Sequence, residues 1–270
     1  MPILTMTKEM GSLGTFIGLE AARQLGYEFL RNDIIKAAAG EYRELEGRLV
    51  GAVEKLPRFL ERFGGRGRRH QAYLEAAVLE AALRGRVLLM GRWSTIFLRG
   101  IRHAVRIRVC APAEIRAARV MRRLGVDRDE AVRRIAAYDE GVRARMRQTF
   151  DLDWTDPLLY DLVINTENVA LESGVRQVLA LAAAPEFQPT EESRAALWNR
   201  AIAARVRATL KAHDATTRVD VDVQVADGHV RLDGVVGSEE ERDAAVTLAR
   251  GVRGVVAVDS DVKIFRRPVR

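Results

Sequence analysis

The sequence predicts an α/β protein, a parallel sheet with helices on both faces, followed by a small α+β domain of order αββαβ. Three observations carry this. Short apolar runs alternate with helix-period segments over the first two thirds of the chain. A segment with two prolines and an acidic run then breaks the rhythm. Beyond it, strands alternate apolar and polar residues at period two.

Residues 3–6 form the first apolar run, followed by Gly11-Ser12-Leu13-Gly14 and an amphipathic stretch to Gly26. A helix-like segment over 71–83 precedes the strand Val87-Leu88-Leu89-Met90-Gly91, and Val105, Ile107 and Val109 alternate with Arg106 and Arg108 in the next. Helix signals dominate 113–150. Gly125 is placed to end one helix, and Asp127 with Glu130 forms a capping box that opens another. Ile135, Tyr138, Val142 and Met146 share one face, predicted to pack on the core. Leu162-Val163-Ile164 is the last strand of this part. Residues 182–193, with Pro185 and Pro189, read as a linker, so the expected division is 1–184, a linker over 185–193, and 194–270.

In the second part, 194–213 is helical. Val219, Val221, Val223 and Val225 alternate with Asp220, Asp222 and Gln224, and Asp227-Gly228 signals a hairpin into Val230 and Leu232. Ser238 with Glu241 opens a helix closing near Gly251, and 255–264 returns as a third strand.

Composition narrows the function classes. With 48% hydrophobic and 30% charged residues in 270, the chain is too apolar for intrinsic disorder. No run of about 18 apolar residues is present, so no bilayer-spanning helix is expected. Cys110 is the lone cysteine, and the N-terminal residues lack a basic start and a sustained apolar stretch, which points to a cytoplasmic protein. The formal charge is +7, and only five of the 44 basic residues are lysine. All of the excess lies in residues 1–185, because 186–270 hold 14 basic and 14 acidic residues. Arginine is the better bidentate partner for phosphate, so an acidic small ligand of the first part is the natural reading.

The most informative segment is Thr7-Lys8-Glu9-Met10-Gly11-Ser12-Leu13-Gly14-Thr15, between the first strand and the first helix. A glycine-bearing turn there aims backbone N–H groups at a phosphate; an ordinary βα turn has the same grammar. The pattern G-x-x-x-x-G-K-[ST] is not met, because Thr15 stands where the lysine belongs. The basic, glycine-rich segment 62–70 reads as a solvated loop or as a contact for RNA or acidic lipid. Without interleaved aromatics or zinc spacing, a nucleic-acid module is not expected. The four histidines are far apart, no Ser/His/Asp set stands out, no metal ligands are predicted, and Cys110 reads as a small buried residue.

Taken in order, several of these segments resemble the cytidylate kinase-like family, a branch of the nucleoside-monophosphate kinases. Thr7 to Gly14 looks like its Ser-Arg-Glu-aromatic-Gly-Ser-Gly-Gly turn, and Val87–Met90 with Gly91-Arg92 looks like its strand ending in Gly-Arg. Residues 112–121, Asp153-Trp154-Thr155-Asp156-Pro157 and Tyr160-Asp161-Leu162-Val163-Ile164-Asn165-Thr166 are similar to later elements of the family. The resemblance covers nearly all of 1–182 and implies a P-loop kinase-like sheet, ATP and Mg2+ as cofactors, and a nucleoside monophosphate as acceptor. Carried over by position, Gly11, Ser12 and Gly14 would cradle the donor phosphates with Lys8 and Thr15 beside them. Arg92 would hold the acceptor phosphate, Arg116 and Arg119 would face the acceptor nucleotide, and Asp33 would approach its base or sugar. Arg143, Arg145 and Arg147 would lie on a lid closing over the donor, with Arg92, Arg143 and Arg147 serving catalysis. Two departures stand out besides Thr15. Leu13 replaces a glycine, and Arg31 replaces a residue often acidic, which leaves open a nucleotide- or anion-binding module without turnover.

Residues 194–266 resemble a BON domain, an αββαβ module of bacterial osmotic-stress and envelope proteins. The resemblance rests on Asp227-Gly228-His229-Val230-Arg231-Leu232-Asp233-Gly234-Val235-Val236 and on 251–258. It implies a contact with phospholipid or protein rather than catalysis, and the zero net charge argues against electrostatic docking on anionic membrane.

Overall fold

The structure, a computed structural model, describes residues 1–31, 33–44, 46, 48–50 and 65–265. Strands β1 (Ile3–Lys8), β2 (Glu28–Leu30), β3 (Val87–Met90), β4 (Ala104–Cys110) and β5 (Leu162–Asn165) form one parallel sheet in the order β2-β3-β1-β4-β5. Strand residues alternate between its two faces. Leu4, Met6, Leu88 and Met90 point to the face covered by helices α1 (Gly14–Leu25) and α7 (Leu171–Ala183). Ile3, Val87 and Leu89 point to the other, beneath α2 (Asp33–Glu41), α3 (Gly65–Leu83) and α4 (Arg92–Phe97).

The chain leaves β1 into α1 on one face and leaves its neighbour β3 into α4 on the other. A crevice therefore opens at the carboxyl ends of β1 and β3, where sheets of this kind place ligands. Helices α5 (Ala113–Leu124) and α6 (Arg128–Phe150) form a hairpin over that end, joined by Ala117, Val120, Ala131 and Ile135. Its corner is made as the sequence indicates: Gly125 caps α5, and the Asp127 carboxylate accepts from the Glu130 N–H at 2.7 Å. Val142 and Met146 enter the main core, and Tyr138, half-buried, packs against it and also lines the crevice, whereas Ile135 packs between α5 and α6.

The second domain is a three-stranded sheet, β6 (Asp220–Ala226), β7 (His229–Val236) and β8 (Ala257–Ile264) in that order, with α8 (Glu191–Ala212) and α9 (Glu239–Arg250) against it. Two sequence expectations are revised. Glu191, Glu192 and Ser193, read as linker, are the first turn of α8: Thr190 and Ser193 cap each other's backbone N–H groups, and the two carboxylates complement the helix dipole. The described part of the glycine-rich loop, from Gly65 on, is the start of α3, where Arg69 pairs with Glu44 at 2.6 Å and Arg68 with Asp220 at 2.5 Å. Residues 62–64 of that segment lie outside the described residues.

Helix α8 belongs to both domains. Leu197, Ala201, Ala204 and Ala208 pack into the first domain's core beside α3, while Ile202, Val206 and Leu210 pack under the second domain's sheet. The spacing 197, 201, 204, 208 is one helical stripe, and alanines along it bring two backbones close. No helix among the described residues is long and apolar enough to cross a membrane.

Ala204 is fully buried on that stripe. Ala204→Leu is expected to overpack the seam and lower stability by about 1–3 kcal/mol, read as a lower denaturant midpoint at unchanged slope.

Candidate functional site

The turn after β1 is held by one carboxylate. Glu9 accepts from Arg108 at 2.7 Å and from the Ala111 N–H at 3.2 Å, and lies 3.4 Å from Arg116 Nε. Arg116 in turn donates to Asp139 of α6 at 2.8 Å and to the Ala111 carbonyl at 3.1 Å. Glu9 and the two arginines each keep about a tenth of their side-chain surface exposed, so the charges are well removed from water. Arg108 further donates to the Thr155 carbonyl and lies over Trp154. The late Trp-containing segment is thereby tied to the turn.

On this base the turn curls. Gly11 and Leu13 both sit in the left-handed region, φ 81° and 65°. At Gly11 a Cβ would strike the Arg116 carbonyl oxygen at 2.8 Å, so glycine is required by contact as well as conformation. Leu13 holds the same kind of conformation at a cost of roughly 1–2 kcal/mol. Such a turn directs backbone N–H groups into a concavity, and the free N–H groups of the first turn of α1 point the same way. A Cβ on Gly14 would lie 2.6 Å from Lys8 Cβ, so the Lys8 stem runs along the turn. The Ser12 hydroxyl is buried and donates to the Glu9 carbonyl at 2.9 Å, the Ser12 N–H donates to the same carbonyl at 3.3 Å, and the Ser12 carbonyl accepts from the Thr166 hydroxyl at 3.0 Å, so Ser12 holds the turn closed.

Two cavities meet at this turn. The first, about 350 Å³, is lined by Lys8, residues 9 and 11–16, and Arg119, Arg122 and Arg123 of α5. The second, about 290 Å³, lies in the crevice beside Arg31, Met90, Arg92, Trp93, Arg123 and Tyr138. Lys8, Thr15, Phe16 and Arg123 line both. Arg92 starts α4 and donates to the Tyr138 hydroxyl at 2.8 Å; that hydroxyl donates to the Lys8 carbonyl at 3.3 Å. The Arg92 guanidinium lies 5.3 Å and the Lys8 ammonium 5.9 Å from the Tyr138 ring centre, which sets both cations on an aromatic face.

The structure thus brings Lys8, Gly11, Ser12, Gly14, Thr15 and Arg119 together at the first cavity and places Arg92 at the second. The others stand elsewhere. Arg116 is sequestered by Asp139 and Glu9 beneath the turn and does not line either cavity. Arg119 lines the first cavity and not the second, held by Thr166 at 2.7–2.8 Å. Burial and the neighbouring Arg122 lower its pKa. Asp33 lines a separate cavity against the second domain. Arg143, Arg145 and Arg147 lie within the continuous helix α6, with Arg145 buried and Arg143 paired to Glu140. Arg147 and Arg143 help lower the Asp153 pKa, whose first causes are bonds from the Thr155 N–H and hydroxyl. Arg122 and Arg123 were not singled out from the sequence. The available signal was their place at i+3 and i+4 from Arg119. Cys110 is partly buried and burial pushes its thiol pKa up, in keeping with an inert residue.

Comparison with known proteins now has a geometry to rest on. The cytidylate kinase-like family model matches residues 3–168, and the BON domain model matches 199–264. The chain is 32% identical over 106 residues to a cytidylate kinase of Methanocaldococcus jannaschii, a match spanning 38% of this chain and 59% of that protein's length. With the cytidylate kinase of Pyrobaculum aerophilum it shares 26% identity over 65% of this chain and 90% of the relative. An uncharacterized protein from Eubacterium ventriosum has the same fold, with a TM-score of 0.54 at 14% identity over 68% of this chain and 99% of that one.

Two substitutions test the turn. Glu9→Gln leaves Arg108 and Arg116 facing a neutral amide and is expected to cost about 3 kcal/mol of stability, measured by denaturant unfolding. Leu13→Gly removes the strain at φ 65° and is expected to leave stability unchanged or raise it by up to about 1 kcal/mol. A clear loss would show that the Leu13 side chain contributes more than its backbone costs.

Proposed function

Since the chain belongs to the cytidylate kinase-like family, we propose that residues 1–184 bind a nucleoside triphosphate and transfer a phosphoryl group from ATP to a nucleoside monophosphate of the CMP type. The observation that carries this is the common wall of the two cavities, Lys8, Thr15, Phe16 and Arg123. A donor phosphate chain on the turn and an acceptor phosphate at Arg92 would meet across it. Phosphoryl transfer asks a protein for alignment and positive charge more than for covalent chemistry. Here the backbone N–H groups of Gly11, Leu13, Gly14 and Thr15 cradle the donor phosphates, Arg119 and Arg122 neutralise their outer side, and Arg92 aligns the acceptor. Lys8 and Arg123 stand at the junction, where the P-loop lysine would otherwise serve.

The residues fit ATP in its phosphates. For Mg2+ they fit more narrowly, because the described residues hold no group of three or more His, Cys, Asp or Glu placed for a metal. The ion would be held chiefly by the phosphates, with the Thr15 hydroxyl as the nearest side-chain oxygen on the turn, and would supply charge neutralisation on them. We place this reaction in the cytoplasm, where ATP is at hand.

A second reading has its own support. Leu13 in the curl and Thr15 in the lysine position suit an anion-sensing module that binds without turnover. The second domain is proposed to contact a partner. Asp222 and Asp233 lie side by side on its exposed sheet face, next to Asp261, which pairs with Arg231, and Asp220, which pairs with Arg68 and Lys211; this face favours a protein over an anionic phospholipid.

With Mg-ATP and CMP, the full chain is expected to form ADP and CDP. Arg92→Ala is expected to lower kcat/KM for the acceptor roughly tenfold to hundredfold, about 1.5–3 kcal/mol, at unchanged ATP affinity. Binding without product would select the sensing module, and absence of any nucleotide binding by calorimetry would sink both readings.

A further inference from the structure

One wall of the second cavity has a further cavity behind it. Leu74 and Val78 of α3 and Ile34 and Ile35 of α2 face the crevice beside Arg92. The opposite side of the same two helices, from Asp33 and Ala37 to Ala76 and Glu80, faces a cavity of about 840 Å³ closed by α8 and α9 of the second domain. Ile34 lines both spaces. Helices with open volume on two sides are not fixed by packing alone.

Within the first domain α3 packs on β3, α2 and α4 and holds Glu44 through Arg69, but its most extensive contact is with α8, along the alanine stripe. Ion pairs made across the same seam add to it. Glu75 pairs with Arg207 at 3.0 Å, and Glu80 accepts from Arg205 at 2.5 and 2.9 Å and also from Arg253. Arg205 is itself held, lying over the Trp198 ring and donating to the Arg253 carbonyl at 3.0 Å. Glu75 sits one residue from Leu74, and Glu80 two from Val78, so each pair grips the turn that faces the crevice.

We infer that Arg205 and Arg207 of the second domain are positioning residues for the acceptor cavity, setting the place of α3 and through it the affinity for the acceptor. This rests on the reading above that the crevice beside Arg92 receives the acceptor. The donor turn is independent of the seam, because its supports are Glu9, Arg108 and Arg116. The inference therefore predicts an effect on one substrate and not on the other.

The test is Arg205→Ala with Arg207→Ala in the full chain. Amide hydrogen exchange over residues 71–83 is expected to quicken while that over 14–25 stays as in the unaltered protein. The dissociation constant for CMP by calorimetry is expected to rise about tenfold, with that for ATP within about twofold. Exchanging the charges, Glu75→Arg with Arg207→Glu, is expected to keep exchange over 71–83 slow. Unchanged exchange in α3, equal loosening of α1 and α3, or CMP affinity unaltered in a loosened α3 would each overturn the inference. A chain whose α3 loosens as expected but which binds neither nucleotide even before substitution would overturn the proposed function and leave the grip on α3 standing.

Discussion

The buried contact between Glu9 and the pair Arg108 and Arg116 is what the rest of the site depends on. One carboxylate at the end of β1 ties together the turn, the end of β4, the start of α5 and, through Asp139, the helix α6. Two arginines on one carboxylate would leave excess charge in a poorly solvated place; Asp139 offsets it. With this frame fixed, Gly11 rests on the backbone of Arg116, the turn curls above it, and the exposed half of α5 presents Arg119, Arg122 and Arg123 to the cavity. Tyr138, beside Asp139, then joins Arg92 and Lys8 across the crevice. At this end of the sheet Arg108 and Arg116 build the frame, while Arg92, Arg119, Arg122 and Arg123 face the cavities.

Helix α8 is the second constraint. From Leu197 to Leu210 its apolar residues are buried against both domains while Arg205 and Arg207 pair with Glu80 and Glu75, and a helix of that kind makes its two domains one structure. The charge balance follows the same division. The neutral second domain meets the first through matched ion pairs at the seam, while the basic excess of residues 1–185 includes the cations that line the two cavities.

Much of this was legible in the sequence. The parallel sheet, its crevice, the N-caps Asp127 and Ser238 and the αββαβ order follow from periodicity, turn residues and N-cap chemistry, which act locally. Arg92 was legible from its place after a buried strand. What was not legible depends on contacts distant in sequence. Arg116 has the residue type and helix position of a ligand-binding arginine, yet Asp139, 23 residues on, takes its guanidinium. Asp33 begins its helix where an acceptor contact is plausible, but the second domain closes over that side. Arg143, Arg145 and Arg147 fall in an unbroken helix and line neither cavity. Glu191 and Glu192 read as linker because acidic residues beside prolines suit a loop as well as the first turn of a helix; the Thr190–Ser193 cap decides between them.

The proposed transfer requires two subsites that meet at Lys8, Thr15, Phe16 and Arg123. It is tested most directly by titrating the protein with a bisubstrate ligand, adenosine and cytidine joined through a chain of phosphates. If the cavities adjoin as donor and acceptor sites, one molecule binds per chain, at least about tenfold more tightly than ATP, because the second contact becomes intramolecular. Affinity no greater than that of ATP, or a stoichiometry of two ligands per chain, would contradict the account.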